Sequence, residues 1–331
     1  MTSWSRLPVA VIGVGEHGKH HARILAELPE AELAGIYDTN RERASALANE
    51  LGCRSFNSLE EALSSVKAAS VVIPTTDHAQ VAYQAFDAGV DVLLEKPISR
   101  TVDEASEIVE RAERQKRILQ VGHLERFNPG VVAARKVTRN PMFFEVHRLG
   151  VFSSRSLDVD VVFDLMIHDL DLVLWMVESP VRDVRAVGLA VLSDKVDIAN
   201  ARVEFENGAV ANLTASRVST EKVRKFRYFQ PSEYISVDFA RRDALLIRVD
   251  RSKANPEIGF EKLATDPADP LRAEIQDFLE CVKTRRPPLV GGGEGRAALA
   301  LAERVMNCIE HHAEQVQMHL GGRALGQPGE S

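Results

Sequence analysis

Asp164 and His168 stand four residues apart in Asp164-Leu165-Met166-Ile167-His168. On a helix this spacing puts both side chains on one face. A carboxylate placed there orients an imidazole and stabilises its protonated form, which is how a general base is built for neutral pH. An ordinary surface ion pair has the same spacing. Asp169 and Asp171 invite a metal reading, but Asp169 points to another side of the helix and no second histidine stands nearby at ligand spacing. No metal is expected. A second reactive group is Lys96, which follows the apolar run at 90–94 in Glu95-Lys96-Pro97. The carboxyl ends of strands are where open parallel sheets bind ligands.

A third group binds rather than reacts. Gly13-Val14-Gly15-Glu16-His17-Gly18 fits GxGxxG between an apolar run and a helix-like segment. Its glycines suit a tight turn, close approach of backbone to a pyrophosphate, and close helix–strand packing. Phosphate would meet the free N–H groups at the helix start. Asp38 follows Gly18 by 20 residues, where an acid accepts hydrogen bonds from an adenosine ribose. Two like charges about 4 Å apart repel by about 4 kcal/mol at an effective dielectric near 20. The carboxylate therefore favours NAD over NADP, with Arg41 placed to soften the penalty.

These groups need a scaffold. Through residue 121, apolar runs at 9–12, 31–38, 71–73, 90–94 and 118–121 alternate with helix-like segments at 19–28, 41–51, 78–88 and 102–116. Buried strands alternating with amphipathic helices predict a parallel, doubly wound sheet. Beyond about residue 140 the rhythm changes to strand after strand: 199–206, then the hairpin signal Asn207-Gly208, then 209–214, 223–229, 234–239 and 244–249. Helices are expected at 271–284 and 295–319, before a tail at 321–331. The fold class is α/β: an N-terminal doubly wound Rossmann domain plus a C-terminal α/β domain with an open, mainly antiparallel sheet. The domains are placed at 1–125 and 126–320, with the last helix free to pack back on the first.

The totals agree. A chain of 331 residues exceeds the usual limit of one core. Its net charge of −7 argues against nucleic acid as a partner. No apolar run approaches the length of a membrane span, the N-terminal residues lack the apolar core of a signal peptide, and three scattered cysteines suit a reducing cytoplasm.

Four marks together resemble the Gfo/Idh/MocA oxidoreductase family: the glycine loop with His21 after it, Ile73-Pro74-Thr75-Thr76-Asp77-His78, Glu95-Lys96-Pro97, and Asp164 through His168. The resemblance implies NAD-linked oxidation of a secondary alcohol in a site between a Rossmann domain and an open-sheet domain. It implies a cofactor set of Gly13, Gly15, Glu16, His17, Gly18, Asp38, Pro74, Thr75, His78, Glu95 and Lys96. Lys96, Asp164 and His168 become the catalytic residues, with Pro97 in a cis bond that aims Lys96. Many relatives form homodimers or homotetramers through the second sheet.

Gly122-His123-Leu124-Glu125-Arg126-Phe127-Asn128-Pro129 and the basic stretch 217–227 resemble the UDP-N-acetylglucosamine 3-dehydrogenase subgroup, which makes 3-keto nucleotide sugars for lipid A. That resemblance implies a downstream aminotransferase and substrate contacts from His123, Arg126, Asn128, Lys222, Arg224 and Lys225. In a strand, Lys222 and Arg224 face one way and Lys225 and Arg227 the other. Such a basic strand reads as either a protected sheet edge or a diphosphate-binding lip. Rival readings are an inositol or simple-sugar dehydrogenase, a non-catalytic NAD-binding regulator, and a glycosidase working by transient oxidation.

Overall fold

The computed structural model describes residues 6–152, 159–250 and 256–319. The expected tail at 321–331 lies outside the described residues. The chain forms two compact units, the first made of residues up to 128 with 268–299, the second of 129–267 with the residues from 300 onward.

The first unit begins with β1 (Leu7–Ile12), α1 (Gly18–Glu27), β2 (Ala31–Tyr37), α2 (Arg41–Leu51), β3 (Arg54–Ser55) and α3 (Leu59–Ser64). It continues with β4 (Ala68–Val71), α4 (His78–Asp87), β5 (Asp91–Glu95), α5 (Val102–Arg114) and β6 (Leu119–Gly122). The strands form one parallel sheet in the order β3-β2-β1-β4-β5-β6, the dinucleotide-fold order. Short polar side chains start the helices: Asn40 accepts from Arg43 N–H, Ser58 from Glu61 N–H and Thr101 from Glu104 N–H. The strand expected at 71–73 is instead β4 at Ala68–Val71, because small buried residues such as Ala68 and Ala69 form it without an apolar signature. β3 and α3 were too short and too polar for periodicity to reveal.

The second unit holds α6 (Pro129–Val137), β7 (Phe143–Val151), α7 (Ile167–Val177), β8 (Val181–Leu189), β9 (Ile198–Phe205) and β10 (Val210–Ser219). Strands β11 (Val223–Gln230), β12 (Glu233–Asp238), β13 (Asp243–Asp250) and β14 (Glu257–Lys262) follow. Its sheet runs β14-β13-β12-β11-β7-β10-β9-β8, antiparallel except where β7 meets β10. The expected hairpin turn is present, with Gly208 at φ +86°. Buried Phe144, Phe226 and Tyr228 pack on one face, and Tyr228 Oη lies 2.6 Å from Thr138 Oγ1. Sequence reading missed α6, β7, β8 and β14; β7, at least, is hidden because its buried positions include Arg148 as well as Phe144 and Val146.

Two long helices, α8 (Pro270–Thr284) and α9 (Gly292–His319), close the described chain. The placement of 126–320 in one domain needs correction here. Ile275, Phe278 and Leu279 of α8 join Leu7, Val9, Val11 and Leu25 in one core, so α8 is part of the first unit. The start of α9 also belongs there: a Cβ on Gly292 would lie 2.8 Å from Leu119, and one on Gly295 would lie 2.7 Å from Val121.

Candidate cofactor and catalytic sites

The glycine loop joins β1 to α1. Gly13 has φ +87°, and a Cβ there would stand 2.3 Å from the Val72 carbonyl oxygen. A Cβ on Gly18 would stand 2.0 Å from the Gly13 oxygen, so these two glycines make the tight turn and the close packing. Gly15 differs: a Cβ there would meet nothing within 4 Å. The loop therefore offers open backbone at the N-terminus of a ten-residue helix, which fits a bound diphosphate. Glu16 and His17 are exposed on this loop, and Glu16 pairs with Lys19 at 3.1 Å.

Asp38 follows β2 and is buried. It accepts from Val14 N–H at 2.7 Å and from Asn40 N–H at 2.8 Å, which ties the acid to the glycine loop. The cation on it is Arg43, not the expected Arg41, with Nη2 at 2.7 Å and Nε at 3.2 Å. Burial opposes the charge of Asp38, yet the Arg43 bonds and the two N–H groups outweigh it and hold the carboxyl below its ordinary range.

After β4 the chain passes through Pro74 into a 3-10 turn at Thr75–Asp77. His78 then begins α4 wholly buried, with Nε2 3.0 Å from the Ile73 oxygen and Nδ1 2.9 Å from the Pro97 oxygen. His78, expected among the cofactor residues, has both ring nitrogens on main-chain carbonyls. It thereby clamps the Ile73-Pro74 loop to the Lys96-Pro97 segment. A neutral imidazole has one N–H, so only one carbonyl accepts a hydrogen bond from it at a time. Burial nevertheless pulls its proton affinity below the usual histidine value.

The Lys96–Pro97 bond is cis, as expected. Glu95 ends β5 and its Oε2 accepts from Lys96 N–H at 3.2 Å. Its Oε1 lies 3.3 Å from Nε2 of buried His21, whose Nδ1 is 2.9 Å from Ser70 Oγ. Burial works against the Glu95 charge, but the His21 bond and the His21 and Lys96 charges keep its carboxyl ionised below the ordinary range. Lys96 is half-buried beside this chain of polar groups, which sequence reading reached only through His21.

In the second unit Asp164 lies in a π-helical turn, Val162–Met166, that runs into α7. Ile167 N–H bonds the Val162 oxygen, five residues back. A regular helix was expected; the wider turn still brings four residues round to nearly one side. Both Asp164 and His168 are half-buried. Next to His168, buried Asp169 takes two bonds from Arg148 of β7, Nε at 2.8 Å and Nη2 at 2.7 Å. This ion pair anchors α7 to the sheet and gives Asp169 a structural partner. Among the described residues no group of three or more metal-ligating side chains occurs.

Of the expected substrate contacts, His123, Arg126 and Asn128 are all buried in the first unit. Arg126 donates to the Leu289 oxygen at 3.1 Å and Asn128 to Glu125 at 3.3 Å. Lys222 is exposed just before β11. β11 is an interior strand between β7 and β12, so the protected-edge reading of its basic residues is overturned. Arg224 pairs across the sheet with Arg148 and so shares the face on which Arg148 holds α7. Lys225 points to the opposite face, bound by Asp238 at 2.5 Å.

Comparison with known proteins places this geometry. The model of an oxidoreductase family with an NAD-binding Rossmann fold matches residues 7–123. That of the Gfo/Idh/MocA C-terminal domain matches residues 134–229. A UDP-N-acetylglucosamine 3-dehydrogenase of Acidithiobacillus ferrooxidans is 41% identical over 303 residues, 91% of this chain and 96% of that one. A solved structure of the enzyme of that name from the same organism matches with a TM-score of 0.87 at 40% identity, over 92% of this chain and 98% of the other. A myo-inositol 2-dehydrogenase of Thermotoga maritima is 24% identical over 324 residues, 91% of this chain and 96% of that one. The chain belongs to the Gfo/Idh/MocA family of oxidoreductases, and its residues 7–123 form that family's NAD-binding Rossmann fold.

Proposed function

We propose that this chain oxidises the 3-hydroxyl of UDP-N-acetylglucosamine to a 3-keto sugar with NAD. The observation that carries the reading is 41% identity to the enzyme of that name across 91% of this chain, well beyond the cofactor domain. Bound NAD supplies the hydride acceptor. The chain's own residues position the alcohol and manage its proton. Gly15, Glu16, His17, Asp38, Pro74 and Thr75 hold the cofactor, with Asp38 on the adenosine ribose. Lys96, held by Glu95, binds the reacting hydroxyl. His168, oriented by Asp164, takes the hydroxyl proton, a contribution of about 10²–10⁴ in rate for a placed base.

Arg224 is the favoured cation for the diphosphate, because it lies on the α7 face of the sheet while Lys225 is held by Asp238 on the other. The domain roles follow: cofactor binding by the first unit, sugar binding by the second. The outer sheet face, with half-buried Phe143, Tyr234 and Ile247 and exposed Phe229, serves a homodimer or homotetramer. No helix among the described residues is long and apolar enough to cross a membrane. A cytoplasmic location and an aminotransferase acting on the keto product complete the reading.

The test is NADH formation with UDP-N-acetylglucosamine, UDP-glucose, free N-acetylglucosamine and myo-inositol, with an aminotransferase or carbonyl trap to remove ketone. Activity confined to UDP-N-acetylglucosamine, weakened in Arg224→Ala, is expected. Activity with free polyols alone would discard the nucleotide-sugar assignment.

A further inference from the structure

Glu274 of α8 takes no part in the chemistry above, yet its surroundings are unusual. Its side chain is 0% exposed, and neither carboxyl oxygen has a hydrogen-bond partner. Gln120 of β6, equally buried, donates its amide to the Glu274 main-chain oxygen at 3.0 Å, while its own Oε1 is enclosed without a partner. Buried polar atoms of this kind are ordinarily satisfied by enclosed water.

The geometry of β6 relates this cluster to Lys96. Alternate strand residues share a face, so Gln120 and Gly122 project the same way, about 7 Å apart. On that face a Cβ at Gly122 would lie 3.1 Å from Cδ and both oxygens of Glu95. The missing side chain thus lets the Glu95 carboxylate lie against β6, one pleat from the residue that holds Glu274. Charged or titratable groups on the neighbouring elements include His21 of α1, Asp91 and Glu95 of β5, Glu125 and Arg126 of the 3-10 turn Leu124–Phe127, and Asp277 of α8 itself. Asp91 is already bound by Arg285 at 2.5 Å. Burial first, then the charges of Glu95 and Asp277, push the Glu274 carboxyl well above the ordinary range.

We propose that Glu274 keeps its proton in the folded protein and uses that O–H to donate a hydrogen bond, through enclosed water shared with Gln120, toward Glu95, which makes it a positioning residue for Lys96. Lys96 is linked to the cluster through its own N–H bond to Glu95. This rests on the reading of Lys96 as a site residue, but the protonation of Glu274 does not.

The test uses the full chain with Glu274→Gln, a neutral donor of the same shape, and Glu274→Met, which removes the donor. Infrared spectra of the ligand-free protein at neutral pH are expected to show a protonated carboxylic acid that disappears in Glu274→Gln. The side-chain carbon resonance of Lys96, identified through Lys96→Arg, is expected to move in Glu274→Met and less in Glu274→Gln. In turnover, Glu274→Met should lower kcat about tenfold or more with Kd for NAD nearly unchanged. No acid band in the wild type, or an unmoved Lys96 resonance in a folded Glu274→Met, overturns the proposal. Absence of sugar oxidation in the wild type, with band and resonance behaving as expected, sinks the sugar reading and leaves this one standing.

Discussion

Arg43 grips the carboxylate of Asp38 through two bonds, at 2.7 and 3.2 Å, while the same carboxylate reaches the glycine loop through Val14 N–H at 2.7 Å. One acid therefore ties together the phosphate loop, the end of β2 and a cation that a 2′-phosphate would prefer. Asp38→Ser should release Arg43 and shift the ratio of NADP to NAD affinity by about thirtyfold, half of the roughly 4 kcal/mol repulsion between like charges. Titration of both dinucleotides checks this; an unchanged ratio would remove Asp38 from cofactor selection.

The glycines of the loop should separate folding from binding. Gly13→Ala combines φ +87° with a carbonyl contact of 2.3 Å and is expected to cost about 3 kcal/mol or more in stability. Gly15→Ala fills open space, so its unfolding midpoint should match the wild type while NAD binding weakens by about tenfold or more, about 1.4 kcal/mol. Equal NAD affinity in Gly15→Ala and wild type would place the diphosphate elsewhere.

His168→Asn should bind NAD normally and lose turnover by about 10²–10⁴. The check is a pH series of kcat beside an NAD titration. Near-normal turnover throughout that series would eliminate His168 as the base.

Asp169→Asn attacks the neighbouring residue for a different reason. It leaves Arg148, itself buried, without its carboxylate. Breaking such a pair typically costs about 3–5 kcal/mol. Denaturant unfolding should show that loss, whereas a change below about 1 kcal/mol would mean that the pair does not anchor α7.

His78 links stability to pH. Its folded proton affinity lies below the ordinary value of 6.5 because it is buried, so the unfolded chain binds the proton more readily. The contribution is complete above the unfolded value and is lost as pH falls through and below it. Wild-type stability should therefore decline from about pH 6.5 downward more steeply than that of His78→Gln. Parallel slopes in urea unfolding would contradict this.

Much of this protein is written in local patterns. Four of the five expected strands of the first domain, the glycine loop, the turn at Asn207-Gly208 and the outline of α8 all follow from spacing and apolar periodicity, since these record burial and backbone preference residue by residue. His78 shows where such reading stops. A histidine in a cofactor-loop motif looks like a ligand contact, and only coordinates reveal that both nitrogens face carbonyls from two separate loops. β11 shows the same limit, because its charges suggested an edge although β7, some 80 residues earlier in the chain, pairs beside it.

By itself, then, the sequence determined the parallel dinucleotide fold and the acid that follows β2, and it singled out Lys96, Asp164 and His168 as the residues proposed to react. Tertiary structure alone decided that Arg43 rather than Arg41 covers Asp38, that α8 joins the first unit, and that Gln120 meets Glu274 across 154 residues of chain. The physical reason is that strand and helix signals come from neighbours along the chain. Contacts between distant segments depend on how every intervening element packs, and no spacing within a single stretch encodes that.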